Sequence, residues 1–219
     1  MRKWIHEHSL SLTMFFLFFL TLFGTSVTGH RSYNAEQRDH HEAAISFGTY
    51  LASGNFVEAV FENWESEFLQ MGTYVLFTVW LREKGSPESK PLEGDEPQDA
   101  DPRHARNPDR PWPARAGGRI LKLYENSLSA VLLLLFVGSW LAHAFGGYRD
   151  FNQQQLEHGG QVISMWRFVT TSEFWFQSFQ NWQSEFMAVG ALAVLAIWLR
   201  QRGSPESKPV AAPHDETGS

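Results

Sequence analysis

The chain has 219 residues, 18 Phe and 9 Trp, no Cys and a formal charge of −6. This length allows one or two domains. The lack of Cys excludes disulfides, zinc–thiolate sites and thiol nucleophiles, and no basic face rises high enough to suit nucleic acid. The mean hydropathy of −0.29 is that of a soluble protein, yet the apolar residues lie in blocks while the polar ones fill a linker, loops and a tail.

The first block, Leu10 to Val27, is dense in Phe and Leu and has membrane-spanning length. It follows Arg2 and Lys3, as a cleaved signal peptide would. An equivalent block deep in the chain favours a retained helix. Beyond it a polar loop carries Arg31, Asn34, His40 and His41, then a short interfacial helix predicted over Phe47–Ala52.

A second helix starts near Phe56, with Ser53 or Asn55 as its cap and Glu58 completing a capping box with Asn55. Its apolar part, Phe68 to Leu81, covers only about 21 Å, so the span needs the earlier start. Gly85 and Pro87 stop the helix, and Arg82 and Lys84 suit its negative end. Trp64 and Trp80, about 24 Å apart on a helix, read as interfacial anchors at the two membrane surfaces.

Residues 92–119 are rich in Pro, Asp, Glu and Arg and are expected to form a disordered linker. After the linker the whole pattern returns. Asn63-Trp64-Glu65-Ser66-Glu67-Phe68 recurs as Asn181-Trp182-Gln183-Ser184-Glu185-Phe186, Trp80-Leu81-Arg82 as Trp198-Leu199-Arg200, and Gly85 to Pro91 as Gly203 to Pro209. The shift is 118 each time (182 − 64, 198 − 80, 203 − 85), and it also pairs Arg31 with Arg149, Asn34 with Asn152 and His40 with His158. Without a gap, 30 of 83 aligned positions are identical. The first apolar segment has drifted, while the Asn-Trp-x-Ser-Glu-Phe and Gly-Ser-Pro-Glu-Ser-Lys-Pro blocks have not, which places constraint on those blocks. The second copy predicts a span over Leu128 to Phe145, an interfacial helix over Met165–Thr170, and a last helix capped by Ser172 with Glu173 and stopped at Gly203 and Pro205 beside Arg200 and Arg202.

The expected fold is an all-α membrane protein: four transmembrane helices in two parallel two-helix repeats, with short interfacial helices in the outer loops. The segments are 1–91, the first repeat; 92–119, the linker; 120–209, the second repeat; and 210–219, a disordered tail. The N-terminus, the Arg82–Lys122 connection and the tail from Arg200 hold 14 of the 18 basic residues. This bias puts both termini on the cytoplasmic side of a cell inner membrane, and the loops 29–54 and 147–172 outside.

Asn63, Ser66, Glu67 and Gln70 share one helix stripe, matched by Asn181, Ser184 and Glu185. Two readings stand. In one, the block anchors the helix at the interface, with Trp64, Trp80, Trp182 and Trp198 at headgroup depth and the polar side chains bonded to loop backbone or to Arg31 and Arg149. In the other, Glu67 and Glu185 face each other and share a proton or cation. His40, His41 and His158 lack the spacing of a metal motif, alone or with the two Glu, and read as loop surface histidines. His143, inside the third span, reads as a buried, hydrogen-bonded histidine. The two Gly-Ser-Pro-Glu-Ser-Lys-Pro blocks read as helix stops, with a partner-binding epitope as the second reading.

The stretch Asn63 to Gly72, together with Trp80-Leu81-Arg82-x-Lys84-Gly85-Ser86-Pro87-Glu88-Ser89-Lys90, resembles a family of small bacterial membrane proteins classed as a domain of unknown function. That resemblance implies a membrane setting and a bacterial source, and no activity. The expected role is non-enzymatic, structural or in protein interaction, with no cofactor. The expected partners are the lipid bilayer and either another protein or a second copy of the chain. A small ion- or proton-conducting transporter is the alternative.

Overall fold

The computed structural model describes residues 2–105 and 107–218. Met1 and Ser219, the outer bounds of the expected segments 1–91 and 210–219, lie outside the described residues, as does Arg106 in the linker. Among the described residues the chain is helical, without strands. In order come α1 (Arg2–Glu7), α2 (Ser9–Asp39), α3 (Phe47–Leu51), α4 (Gly54–Phe77), α5 (Trp112–Ala116), α6 (Gly118–Glu125), α7 (Ser127–Glu157), α8 (Met165–Phe168) and α9 (Ser172–Trp198). Two of them, α2 and α7, are long and apolar enough to cross a membrane. The chain forms two compact units, Met1–Val60 with Ala142–Val169, and Phe61–Leu141 with Thr170–Ser219.

In the first unit both long helices outrun the apolar blocks that predict them. Helix α2 continues to Asp39 because Ser26, Tyr33, Asn34 and Gln37, spaced at helical period, form a buried face. On α7, His143, Gly146, Gly147 and Asp150 do the same. Each helix then fastens the loop that follows it. The Asn34 side-chain oxygen accepts from the Ile45 N–H at 2.8 Å while its amide donates to the Ile45 carbonyl at 3.0 Å. Asn152 does both with Ile163, at 2.8 Å each. Ser46 caps α3 by accepting from the Thr49 N–H, and Ser164 caps α8 by accepting from the Arg167 N–H. Both short helices end earlier than the sequence predicts, at Leu51 and Phe168.

The short helices carry a large ring each, Tyr50 and Phe168, both almost fully buried. Each ring lies on a glycine of the preceding long helix. A Cβ on Gly29 would overlap the Tyr50 hydroxyl, and one on Gly147 would stand 2.7 Å from the Phe168 ring. Close approach also governs where α4 leaves the loop. A Cβ on Gly54 would meet the Asp150 N–H at 2.5 Å and the Gly146 carbonyl at 2.7 Å.

Helix α4 is capped by Ser53, which accepts from the Phe56 N–H at 3.2 Å. Asn55, the other candidate, turns its side chain to Asp150. In the second unit, Thr171 rather than Ser172 caps α9, accepting from the Phe174 N–H at 3.3 Å. The helices stop before Gly85 and Gly203, because arginines take the last carbonyls. Arg82 Nη1 donates to Val79 and Leu81, each at 3.1 Å, and Arg200 Nη1 to Ile197 and Leu199 at 3.1 and 2.8 Å. Gly85 and Gly203 then turn the chain at a φ of 87° that only glycine adopts freely. Ser89 and Ser207 accept from the N–H of Glu83 and Gln201, 2.9 Å each.

The linker and the tail, expected without structure, carry local order in the same unit. Pro97–Asp99 and Pro102–His104 form 3₁₀ turns. The tail folds over Lys208, whose buried ammonium donates to the carbonyls of Pro213, His214 and Glu216. The tail is also tied to the first turn block, where Thr217 accepts from the Gly85 N–H at 2.8 Å.

The glycine–ring contacts can be tested by a double-mutant cycle. Gly29→Ala should lower thermal stability by about 1–3 kcal/mol, the cost of overpacking. Tyr50→Phe removes the overlapping hydroxyl and should recover most of that loss in the double variant. Additive losses would show that the ring does not press on the glycine.

Candidate functional site

The Asn-Trp-x-Ser-Glu-Phe blocks lie in the second unit, on α4 and α9. Their serines bond locally. Ser66 donates to the Asn63 carbonyl at 2.7 Å and Ser184 to the Asn181 carbonyl at 2.8 Å, each within its own helix. Asn181 donates to the Glu62 carboxylate and to the Gln177 carbonyl. Trp182 is drawn inward: its indole N–H donates to Glu65 at 3.0 Å, and its ring meets Phe136, Trp175 and Phe179. Trp80 and Trp198, by contrast, stay exposed. Trp64 is half-buried with its ring against Phe61.

Glu65, fully buried, and Glu62 are members of this polar group that pattern reasoning passes over. One signal was present. The copy-two counterparts of Glu62 and Glu65 are Gln180 and Gln183, so the first copy supplies two carboxylates where the second keeps amides. A carboxylate only accepts, which is what an indole N–H and an Asn amide need.

Glu67 and Glu185 do come close enough for their charges to interact, and Gln70 donates to the Glu185 backbone carbonyl at 3.2 Å. The arginines expected to neutralise them do not. The ion pairs formed elsewhere include Lys3 with Glu7, Lys90 with Asp99, and Asp101 with Arg103 and His104. Arg149 instead donates to the Ala52 carbonyl at 3.2 Å and lies over the Phe145 ring. Arg31 is exposed. Both arginines lie on the long helices α2 and α7, on the stretches beyond their apolar blocks.

The first unit gathers a second polar group, which the sequence does not announce. Asp150, buried on α7, accepts from Gln154 at 2.8 Å and from Asn55. Tyr33 accepts from Gln153 at 2.6 Å. The rings of His40 and His158, expected on the loop surface, touch edge to face. His143 is fully buried, in keeping with the sequence reading.

Burial holds the Asp150 carboxyl above its ordinary range, Gln154 and Asn55 oppose this, and Glu36 and Glu157 add to it. A raised folded-state pKa means that the folded protein holds the proton more tightly than the unfolded chain. The contribution is therefore complete below the unfolded value, 3.8, and is lost as pH rises through the folded value. Asp150→Asn should raise the melting temperature at pH 8 and leave it little changed near pH 4. An equal gain at both pH values, or a loss at pH 8, would contradict this account.

No curated protein and no solved structure matches the chain. A family model does, over residues 1–219, under the description Domain of unknown function (DUF6766). The match runs through both units, the linker and the tail, and the chain belongs to that family.

Proposed function

We propose that the chain is a multi-pass protein of a bacterial inner membrane, with four crossing helices in two parallel two-helix repeats. In this reading both termini and the linker lie in the cytoplasm, and the protein acts without catalysis, as a structural or interaction protein. The observation that carries the membrane setting is the exposure of its most apolar surface. Only 6% of the apolar window of α2 and 17% of that of α7 is buried, whereas the core helix of a soluble protein hides such a window. The repeat is supported by matched local bonds: Asn34 with Asn152, Ser46 with Ser164, Arg82 with Arg200 and Ser89 with Ser207 each bond alike at a spacing of 118. The structural role is supported by the fate of the shared block, in which Ser66, Ser184, Asn181 and Trp182 make internal bonds. Trp80 and Trp198, exposed at the helix ends, then sit as interfacial anchors.

Reporter fusions test the topology. Fusions at residue 100 and at the C-terminus should report the cytoplasm, and fusions near 40 and 158 the outside. A cytoplasmic signal at 40, or a mature chain that begins after Gly29, overturns the arrangement.

One observation favours ion or proton conduction as a second reading: Glu67 and Glu185 act on each other's charge, and no arginine among the described residues is paired to either. Gln at either position removes a like charge and should leave abundance and thermal stability unchanged or raised. Proteoliposome flux separates the roles. Unchanged flux in the double Gln variant supports the structural role, and loss of flux at normal abundance supports conduction. A marked loss of stability in either single variant would show that each carboxylate has a favourable partner.

A further inference from the structure

The outer part of the first unit holds side chains that the proposed role leaves unused. His40 caps the C-terminus of α2, and His158 follows the C-terminus of α7. Their ring centroids lie 5.8 Å apart with planes at 76°. Two imidazoles that ligate one ion through nitrogens at roughly 2.0–2.1 Å place their centroids about 5–6.5 Å apart, so the separation suits a shared ion once a ring turns out of the edge-to-face contact to aim its nitrogen at the same point. His158 Nδ1 lies 2.8 Å from the Gln154 carbonyl. A carbonyl only accepts, so Nδ1 carries the proton and the Nε2 lone pair is left for a Lewis acid. This is the support a metal-ligating histidine ordinarily receives.

Beside the rings is a cavity of about 60 Å³, room for one or two water-sized groups. Its walls bring the carboxyls of Glu36, Asp150 and Glu157 and no Lys or Arg. Asp150 is occupied by Gln154 and Asn55, and Glu157 accepts from Gln153 at 3.0 Å. Glu36 precedes His40 by one helical turn, so both lie on the same face of α2. A site of this charge takes a cation, and imidazole donors select for transition metals over Mg²⁺ or Ca²⁺.

We propose that this cavity binds one divalent transition-metal ion of the Zn²⁺, Ni²⁺ or Cu²⁺ class through His40 and His158. Among the described residues no three His, Asp or Glu side chains already surround one point. The remaining donors are water and the Glu36 carboxylate after a rotamer change. The inference does not depend on the membrane reading, because every residue it uses lies within one unit.

The test uses the full chain in detergent, without a polyhistidine tag and stripped by chelator. Calorimetric titration with ZnCl₂ should give one ion per chain. His40→Gln or His158→Gln should each weaken binding by about tenfold or more, the double change should abolish it, and Glu36→Gln should weaken it to a smaller degree. Electron paramagnetic resonance of Cu²⁺ bound to the unmodified chain should show two coordinated imidazole nitrogens, a reading that no variant's folding affects. The proposal is overturned if the unmodified chain binds no ion. It is equally overturned if the double variant binds as tightly, the ion then belonging to the other seven histidines, or if the Cu²⁺ spectrum lacks the pair of nitrogens.

Discussion

Asn34 gives the Ile45 backbone both halves of a strand-like hydrogen-bond exchange, and Asn152 gives the same to Ile163. A loop that turns back beside a long helix leaves backbone donors and acceptors to be satisfied, and each asparagine satisfies one of each from a fixed helical position. The rest of the first unit follows from that exchange. With Ile45 and Ile163 fixed, Ser46 and Ser164 are placed to cap the next turn of helix. Those turns then lay Tyr50 and Phe168 on Gly29 and Gly147. Only a residue without a Cβ permits a ring that close, so the glycine and the ring form one device whose second half has changed from Tyr to Phe between the copies.

Residues 118 positions apart agree in backbone fastening and disagree in polarity. Asp150 stands where the first copy has Ser32, and Glu62 and Glu65 stand where the second has Gln180 and Gln183. Buried carboxylates are costly unless hydrogen-bonded, and those of Glu62, Glu65 and Asp150 accept from Asn181, Trp182 and Gln154. Each acceptor–donor pair joins a residue of one copy to a residue of the other or to its own helix.

Much of the helical framework was legible in the amino acids. Apolar blocks of membrane length, the Gly-Ser-Pro turn blocks and the cap candidates Ser53 and Ser172 placed the long helices, because these signals act over a few residues of chain. The ends were less legible. The outward extensions of α2 and α7 past Val27 and Phe145 come from a buried polar face, which hydropathy does not register. The early stops at Phe77 and Trp198 are accompanied by arginines that turn back on the carbonyls around each helix end.

The polar contacts were decided elsewhere. The sequence by itself determined that the chain is helical, that two helices are long and apolar enough to cross a membrane, and that one pattern returns after 118 residues. Only the tertiary structure decided that Glu65 meets Trp182, that Arg149 turns to Ala52 and Phe145, that His40 meets His158, and that the tail folds over Lys208. Local signals are written in neighbouring residues, whereas a hydrogen bond between positions about 118 apart depends on which helix faces meet. Helical period fixes the face of each helix, but the partner of that face is set by close packing at glycines such as Gly54 and Gly146, and no single stretch of sequence carries that information.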